Sequence, residues 1–130
     1  KLQRGELIRE FVVKKLPENT NTGFFKLGRR KALAISRLNC ASALTMKPDG
    51  TIAEARIAPG CIFVQPDRVE RAEQLLIGKK PSVALFEEAG KAVADVMIER
   101  TGVRWSTEYK QPVAAEVVLR SLCQAAGLEV

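Results

Sequence analysis

Hydrophobic residues follow a strand-like period in the first half of the chain and a helical period in the second. Residues 6–14 are rich in β-branched and aromatic side chains and predict a strand. The polar segment 16–23 after it is typical of a loop. Apolar and polar residues then alternate on both sides of the turn sequence Lys47-Pro48-Asp49-Gly50-Thr51. This pattern predicts a β-hairpin over residues 37–58.

A short helix is predicted after the hairpin. Asp67 and Glu70 have the spacing of a capping box, in which each side chain accepts from a backbone N–H at the start of a helix. Gly78 stands where a left-handed residue ends a helix. The apolar face between them consists of Val69, Ala72, Leu75 and Leu76.

Two longer helices follow. Ser82 is expected to cap the second helix, and the third opens at Ser106 or Thr107. Its main body is expected to begin near Pro112, because proline suits the first turn of a helix. Their apolar stripes are Val83, Phe86, Gly90, Val93 and Met97, and then Val113, Ala114, Val117, Val118, Leu122 and Ala125. Strands followed by helices predict an α+β fold, in which three helices cover one face of an antiparallel sheet of three to four strands, a β3-α3 sandwich.

Composition excludes much chemistry. The 130 residues fit one domain, 1–130, and include no histidine. Nucleophile–histidine catalysis, a histidine general base and His-ligated zinc are therefore absent from this chain. The sequence separation of Cys40, Cys61 and Cys123 does not fit a zinc ribbon or a thioredoxin-type site. We expect each cysteine to be a small buried hydrophobic residue in a protein of a reducing compartment.

The ends and the apolar runs give three further expectations. No run approaches the roughly 18 apolar residues of a membrane helix. The first residues lack the apolar core of a secretory signal. Because the sequence does not begin with methionine, we expect it to be part of a longer polypeptide.

The densest unusual segment is 23–31, where four of nine residues are cationic beside Phe24 and Phe25. It is either a basic surface for a phosphate, a flavin or an acidic protein face, or a solvated strand edge with one Phe pointing inward. The net charge of +6 also suits nucleic acid. Against this, the excess charge is expected to be spread over the chain, and the few aromatics are not interleaved with cations.

No autonomous catalytic residue is predicted. Glu87 and Glu88, and the i,i+4 pair Asp95 and Glu99, are expected on solvent-facing sides of a helix. Residues 105–110 are either an anion site at a helix start or a cap with a buried aromatic. Neither glycine-rich phosphate motif occurs. The chain therefore has no evident hold on the phosphates of a nucleotide.

The order of several short motifs is more distinctive than any one of them. They are FKLGRRKALAI at 25–35, Asn39-Cys40-Ala41, Asp49-Gly50, Ile52-x-x-Ala55-Arg56-Ile57-Ala58, Gln65-Pro66, Arg71-Ala72-Glu73-x-x-Leu76-x-Gly78-Lys79 and Ser106-x-x-Tyr109. Together, over about residues 6–126, they resemble the C-terminal domain of the FAD-binding (medium) subunit of the molybdenum hydroxylases. That group includes carbon monoxide dehydrogenase, xanthine dehydrogenase and aldehyde oxidase.

The resemblance implies an α+β sandwich that closes over FAD and docks neighbouring subunits in a cytoplasmic oxidoreductase. Such enzymes oxidise substrate at a molybdenum centre in another subunit and pass electrons through iron–sulfur clusters to FAD and then to an acceptor. The implied partners are two N-terminal FAD-binding lobes of the same subunit, which lie outside this chain, and the iron–sulfur and molybdopterin subunits. FAD is therefore not expected to be retained by this chain alone.

Two residues match flavin-facing positions of the family. Lys26 is similar to a lysine that follows an aromatic residue and reaches toward FAD, where a cation could stabilise electron density on the reduced ring. Ile8 matches an apolar position that touches the flavin. The alternatives are an ordinary strand lysine and a plain core isoleucine.

Two segments differ from the family pattern. Tyr109-Lys110-Gln111 stands where many relatives have Tyr-Arg-Arg, and Ala58-Pro59-Gly60-Cys61 replaces a Gly-Gly-Val-like turn. The alternative to a flavoprotein domain is an independent basic α+β module that binds protein or nucleic acid without flavin.

Overall fold

Three strands form an antiparallel sheet in the order β1-β2-β3 in the computed structural model, which describes residues 2–129. The strands are β1 (Thr20–Gly28), β2 (Ser36–Met46) and β3 (Ile52–Gly60), and the helices are α1 (Glu70–Gln74), α2 (Val83–Thr101) and α3 (Thr107–Ala126). The α+β expectation is confirmed, with three strands. The predicted hairpin is β2–β3, closed where Lys47 N donates to Thr51 O at 2.8 Å.

The sheet has one covered and one open face. Along β2 the inward side chains Leu38, Cys40, Ser42 and Leu44 are buried, whereas Ala41 between them is exposed. Helix α3 packs on β1 and β2, α2 packs on α3, and α1 fits between β3 and α2. The largest fully buried side chains are Phe86, Leu38, Leu44, Ile52, Ile57, Leu76, Leu122, Val69, Val93, Val117, Val118 and Cys40. The core therefore lies between the sheet and the helices.

A close approach of α3 to β1 fixes the sandwich. A Cβ at Gly23 would overlap the carbonyl oxygen of Ser121, so only glycine fits there. Ser42 Oγ donates to Ser121 O at 2.9 Å, and Ser121 Oγ lies 3.2 Å from Gly23 O, which it can donate to. These bonds satisfy buried hydroxyls that would otherwise destabilise the core.

Helix α1 starts without the expected capping box. Val69 is the N-cap and no side chain caps the helix. Asp67 instead accepts from Arg68 N at 2.8 Å and from Arg100 Nη1 of α2 at 2.7 Å. The prediction was wrong because α1 begins three residues after Asp67, whose carboxylate is held by α2. Gly78 has the expected positive φ, at 76°, but it does not end the helix: α1 ends at Gln74, with Leu75 as its C-cap.

The strand predicted over residues 6–14 does not form, and β1 lies instead partly within the predicted loop 16–23. No hydrogen bond within residues 2–129 involves residues 7–16, and Phe11, Val12 and Val13 are 81%, 93% and 84% exposed. β-Branched residues favour a strand only where a neighbouring strand satisfies the backbone. Residues 20–28 have such a neighbour in β2.

The third helix begins earlier than its proline suggested. Ser82 caps α2 as expected, accepting from Leu85 N at 3.2 Å. Helix α3 begins at Thr107 and contains Pro112 in its interior. Pro112 removes the N–H that would bond the carbonyl of Glu108, and Glu108 is exposed. Water can therefore take that place, and the helix continues through the proline.

Candidate functional site

Lys26 lies on the open face of the sheet near one end of β1. In the strand register it stands beside Asn39 of β2, which in turn pairs with Gly60 of β3. Its side chain is exposed, and Nζ donates to the carbonyl of Ala34 at 3.1 Å. An ammonium group has three N–H donors. Two of them have no hydrogen bond to residues 2–129.

Asn39 and Gly60 extend this site across the sheet. A Cβ at Gly60 would overlap the Asn39 side chain, which therefore lies across the glycine. Asn39 Nδ2 is 3.8 Å from the sulfur of Cys61, a weak contact that links β2 to the end of β3. The segment that departs from the family turn thus makes room for a carboxamide next to Lys26.

Next to Lys26, Asn39 and Gly60, the open face of the sheet carries a row of three apolar residues, one from each strand. Phe24 faces Ala41, and Ala41 faces Ala58 in the register. Phe24 is 54% exposed, and both alanines are exposed. As expected for a strand, Phe25 points the other way and packs against the core. A planar ring could lie against this row with polar atoms directed at Lys26.

Cations shape the loop between β1 and β2. Arg30 donates from Nε to Ala32 O at 3.0 Å and from Nη2 to Leu33 O at 2.7 Å, while Lys26 holds the Ala34 carbonyl. Leu33 has a φ of 52°, which is unfavourable for leucine. The loop is therefore held in one strained shape by hydrogen bonds to its own carbonyls.

Cys61 corrects one expectation about the thiols. Cys40 and Cys123 are buried as expected, but Cys61 is exposed. Burial raises the pKa of Cys40 to about 12, and burial also raises the pKa of Cys123. Cys61 has a φ of 62°, and within the described chain it and Leu33 are the two non-glycine residues with positive φ. Both lie in loops at the end of the sheet near Lys26, and such strain is concentrated at functional sites in proteins.

Ile8 is placed differently from Lys26. It is 54% exposed, lies in the segment without hydrogen bonds, and is not part of the core. The alternative of a plain core isoleucine is therefore wrong. No hydrogen bond in residues 2–129 joins Ile8 to the Lys26 site.

Other candidate residues divide between confirmed and corrected expectations. Glu87, Glu88, Asp95 and Glu99 are exposed, as expected. The buried aromatic in one of the two alternatives for residues 105–110 is not found, since Trp105 is 96% and Tyr109 is 53% exposed. In residues 2–129 no group of three acidic or cysteine side chains could hold a metal ion, and no helix there could cross a membrane.

The position of Asn39 beside Lys26 was not predicted from the sequence. The signal was incomplete: Asn39 and Gly60 both lie ten residues from the Asp49-Gly50 turn, but their pairing also requires the register shift between Thr45 and Met46. An outward-facing amide opposite a glycine indicates a side chain that needs space. The β1 register that brings Lys26 beside them could not be obtained in this way, since no tight turn joins β1 to β2.

The profile of one protein family, described as the CO dehydrogenase flavoprotein C-terminal domain, matches residues 23–125. The chain belongs to this family. This confirms the resemblance drawn from the motifs. The matched range includes Lys26, Asn39 and Gly60, and begins after Ile8.

Individual relatives are similar over most of this chain. The nicotinate dehydrogenase FAD-subunit of Eubacterium barkeri is 26% identical over 110 residues, which are 85% of this chain and 37% of that protein. Carbon monoxide dehydrogenase from Hydrogenophaga pseudoflava, in a form lacking the Mo-pyranopterin moiety of the molybdenum cofactor, superimposes with a TM-score of 0.75 at 25% identity, covering 88% of this chain and 39% of that one. Quinoline 2-oxidoreductase from Pseudomonas putida 86 superimposes with a TM-score of 0.72 at 23% identity, covering 83% of this chain and 37% of that one. This match shows the shared fold. The chain therefore spans about two fifths of the length of these relatives.

Proposed function

We propose that this domain completes the FAD site of the flavoprotein subunit in a cytoplasmic oxidoreductase of the molybdenum hydroxylase type. In this role it closes over FAD that is bound mainly by two N-terminal lobes outside the chain. The observation that carries the proposal is the family match over residues 23–125, which includes the whole sheet from Gly23 onward and nearly all of the helices. A relative named as an FAD-subunit, longer than this chain, supports it.

The side chains present suit one edge of a flavin rather than the whole cofactor. Lys26 has two N–H donors left after its bond to Ala34, and the Asn39 amide lies beside it. Donors of this kind match the carbonyl oxygens of a flavin ring. The sequence has no glycine-rich phosphate loop. The phosphates of FAD would therefore bind to the remainder of the subunit.

FAD, when bound, accepts and passes on electrons. Lys26 would hold a positive charge beside the ring, which stabilises added electron density. Its bond to Ala34 orients the ammonium group before the flavin arrives, so little side-chain entropy is lost on binding. Ile8 would cover part of the ring with its half-exposed side chain.

The proposed electron route follows from the family. Electrons would come from the iron–sulfur clusters of a neighbouring subunit and ultimately from substrate at a molybdopterin subunit. The domain would dock to these subunits without contacting the substrate.

The test uses the longer subunit with its N-terminal lobes. It should purify with bound flavin, and Lys26→Ala should weaken FAD binding. The substitution should also make the flavin potential about 20–90 mV more negative, which corresponds to about 1–4 kcal/mol for a two-electron couple. Lys26→Arg should retain most of the potential. Lys47→Ala, an exposed lysine in the turn at the other end of the β2–β3 hairpin, is the matched control. A colourless subunit, or an unchanged potential and affinity in Lys26→Ala, would overturn the proposal.

A further inference from the structure

Two segments at one end of the fold hold most of the excess positive charge: the loop before β2 with the first two residues of that strand, and the loop before α3 with the first turn of that helix. Residues 29–37 and 103–110 together contain six cations and one carboxylate, a net charge of +5 in 17 residues, whereas the other 113 residues carry +1. The expectation that the charge is spread over the chain was therefore wrong. We call these two segments the basic loop surface.

The two segments adjoin. A cleft of about 580 Å³ is lined by Ser36, Arg37 and Leu38 on one side and by Trp105, Ser106, Tyr109 and Lys110 on the other. A second cleft of about 460 Å³, formed within residues 29–37, shares Ser36 and Arg37 with the first. The register shift between Leu27 and Gly28 leaves Arg37 unpaired in the ladder, and such bulges redirect side chains.

The cations of this surface have no acidic partner within residues 2–129. They are Arg29, Arg30, Lys31, Arg37, Arg104 and Lys110. All five ion pairs of the described chain involve other arginines, namely Arg56, Arg68, Arg71, Arg100 and Arg120. The surface therefore presents uncompensated positive charge.

Large apolar side chains stand out among these cations. Leu33, Ile35 and Trp105 are 92%, 91% and 96% exposed, and Tyr109 is 53% exposed. Their backbone is fixed, since Arg30 holds the Leu33 carbonyl and Thr107 Oγ1 accepts from Arg104 N at 2.8 Å. Exposed aromatic residues next to arginines are typical of residues that dominate protein–protein binding energy.

We propose that the basic loop surface docks an acidic face of a separate protein subunit, one that carries carboxylates around at least one aromatic or aliphatic side chain. The identification of this partner as a subunit of the same enzyme rests on the function proposed above. Complementary charge would steer and orient the partner. Single exposed ion pairs contribute little to affinity because water screens them, so burial of Trp105, Leu33 and Ile35 would supply much of the affinity.

The exposed aliphatic side chains of Leu33 and Ile35 favour a protein partner over a nucleic-acid partner. Bases can stack on Trp105 and Tyr109, and phosphates can pair with the arginines. Neither group buries Leu33 or Ile35, which need apolar side chains as partners. A nucleic-acid partner would leave these two residues in water.

Trp105 allows a direct test because it is the only tryptophan in the chain. The probes are a random copolymer of Glu and Tyr in a ratio of four to one, polyglutamate, and a 15-nucleotide oligothymidylate. Binding is measured by the anisotropy of fluorescein-labelled probe and by Trp105 emission. The copolymer should bind more tightly than polyglutamate or the oligonucleotide and shift Trp105 emission to shorter wavelength.

Charge reversal at the surface should weaken the copolymer complex at least tenfold. The variant is Arg29→Glu/Arg37→Glu, since neither side chain makes a hydrogen bond within the described chain. The control is Lys79→Glu/Lys80→Glu, which changes the net charge equally in an exposed loop next to Ile52, at the start of β3. Trp105→Ala should also weaken copolymer binding, because it removes an apolar anchor.

Three results with the 130-residue chain would overturn the proposal. They are equal weakening by the control variant, tighter binding of the oligonucleotide than of the copolymer, and no copolymer binding at all. The same titration on the longer subunit decides whether its own lobes cover the surface, in which case only the 130-residue chain would bind and the separate partner would be excluded. Flavin retention by the unmutated longer subunit tests the proposed function independently, so the two failures are distinguishable.

Discussion

Substitution of Glu73 separates two interactions of one buried carboxylate. Glu73 is 3% exposed, and its Oε1 accepts from Ile57 N of β3 at 2.8 Å. The same carboxylate pairs with Arg68, whose Nη2 lies 2.7 Å from Oε2. Glu73→Gln keeps an oxygen for the Ile57 N–H but loses the charge. Glu73→Ala loses both interactions.

The magnitudes follow from which group each variant leaves unpaired. Alanine has no side-chain oxygen to accept from the buried Ile57 N–H. An unsatisfied buried donor costs about 1–3 kcal/mol. Arg68 is 47% exposed, so its unpaired charge can be hydrated and the loss stays below the roughly 3–5 kcal/mol of a fully buried pair. We expect the free energy of unfolding to fall by about 1–2 kcal/mol for glutamine and about 2–4 kcal/mol for alanine.

Urea denaturation measures both losses, with the slope m checked for constancy. The matched control is Glu99→Gln, which breaks the Arg71–Glu99 pair between α1 and α2. That pair has the same 2.7 Å separation, but its side chains are 57% and 58% exposed, so we expect a loss of only about 0–1 kcal/mol. Equal losses in Glu73→Gln and Glu99→Gln would refute the role of burial. An alanine variant as stable as the glutamine variant would refute the role of the Ile57 bond.

Three further changes test the packing, the thiols and the acid response. Gly23→Ala should cost about 2–3 kcal/mol in urea denaturation, because the new methyl group meets the Ser121 backbone and cannot move aside; a loss below about 1 kcal/mol would contradict this packing. Iodoacetamide should modify Cys61 in the native chain and the two buried cysteines only after unfolding, and peptide mass spectrometry showing early labelling of a buried thiol would count against it. The hydrogen bond from Arg100 lowers the pKa of Asp67 below its ordinary 3.8, so the stability that the Asp67 carboxylate contributes is complete above that pH and is lost as pH falls. Asp67→Asn should therefore reduce the dependence of the free energy of unfolding on pH in acid. An unchanged pH dependence would disprove the assignment.

The parts of the fold that the sequence predicted are those that local physics determines. The β2–β3 hairpin follows from a Pro-Asp-Gly turn between alternating segments, and α2 follows from the Ser82 cap and its periodic apolar face. The β1 strand was missed because Asn21 and Gly23 interrupt its alternation of apolar residues and because no tight turn joins it to β2. Its inward face is recognisable only when α3 is in place, since Gly23 packs on Ser121.

The candidate site was predictable only in part, for a related reason. Lys26 came from the family resemblance, whereas its bond to Ala34 and its position beside Asn39 depend on strand register. The exposure of Trp105 runs against the usual preference of large aromatic residues for burial. No pattern within the chain predicts the exposure of such a residue.

The N-terminal segment provides a last prediction of this kind. Residues 7–16 have strand-forming side chains but no hydrogen bond within the described chain. Covering side chains such as Phe11, Val12 and Val13 would stabilise a longer protein by about 1.5–3 kcal/mol each, so we expect the segment to pair as a strand there. Amide exchange should be fast over 7–16 in the 130-residue chain and at least tenfold slower in the longer subunit, while β2 amides, the internal control, remain protected in both. Equally fast exchange in the longer subunit would show that the strand-like composition of this segment does not reflect a missing β partner.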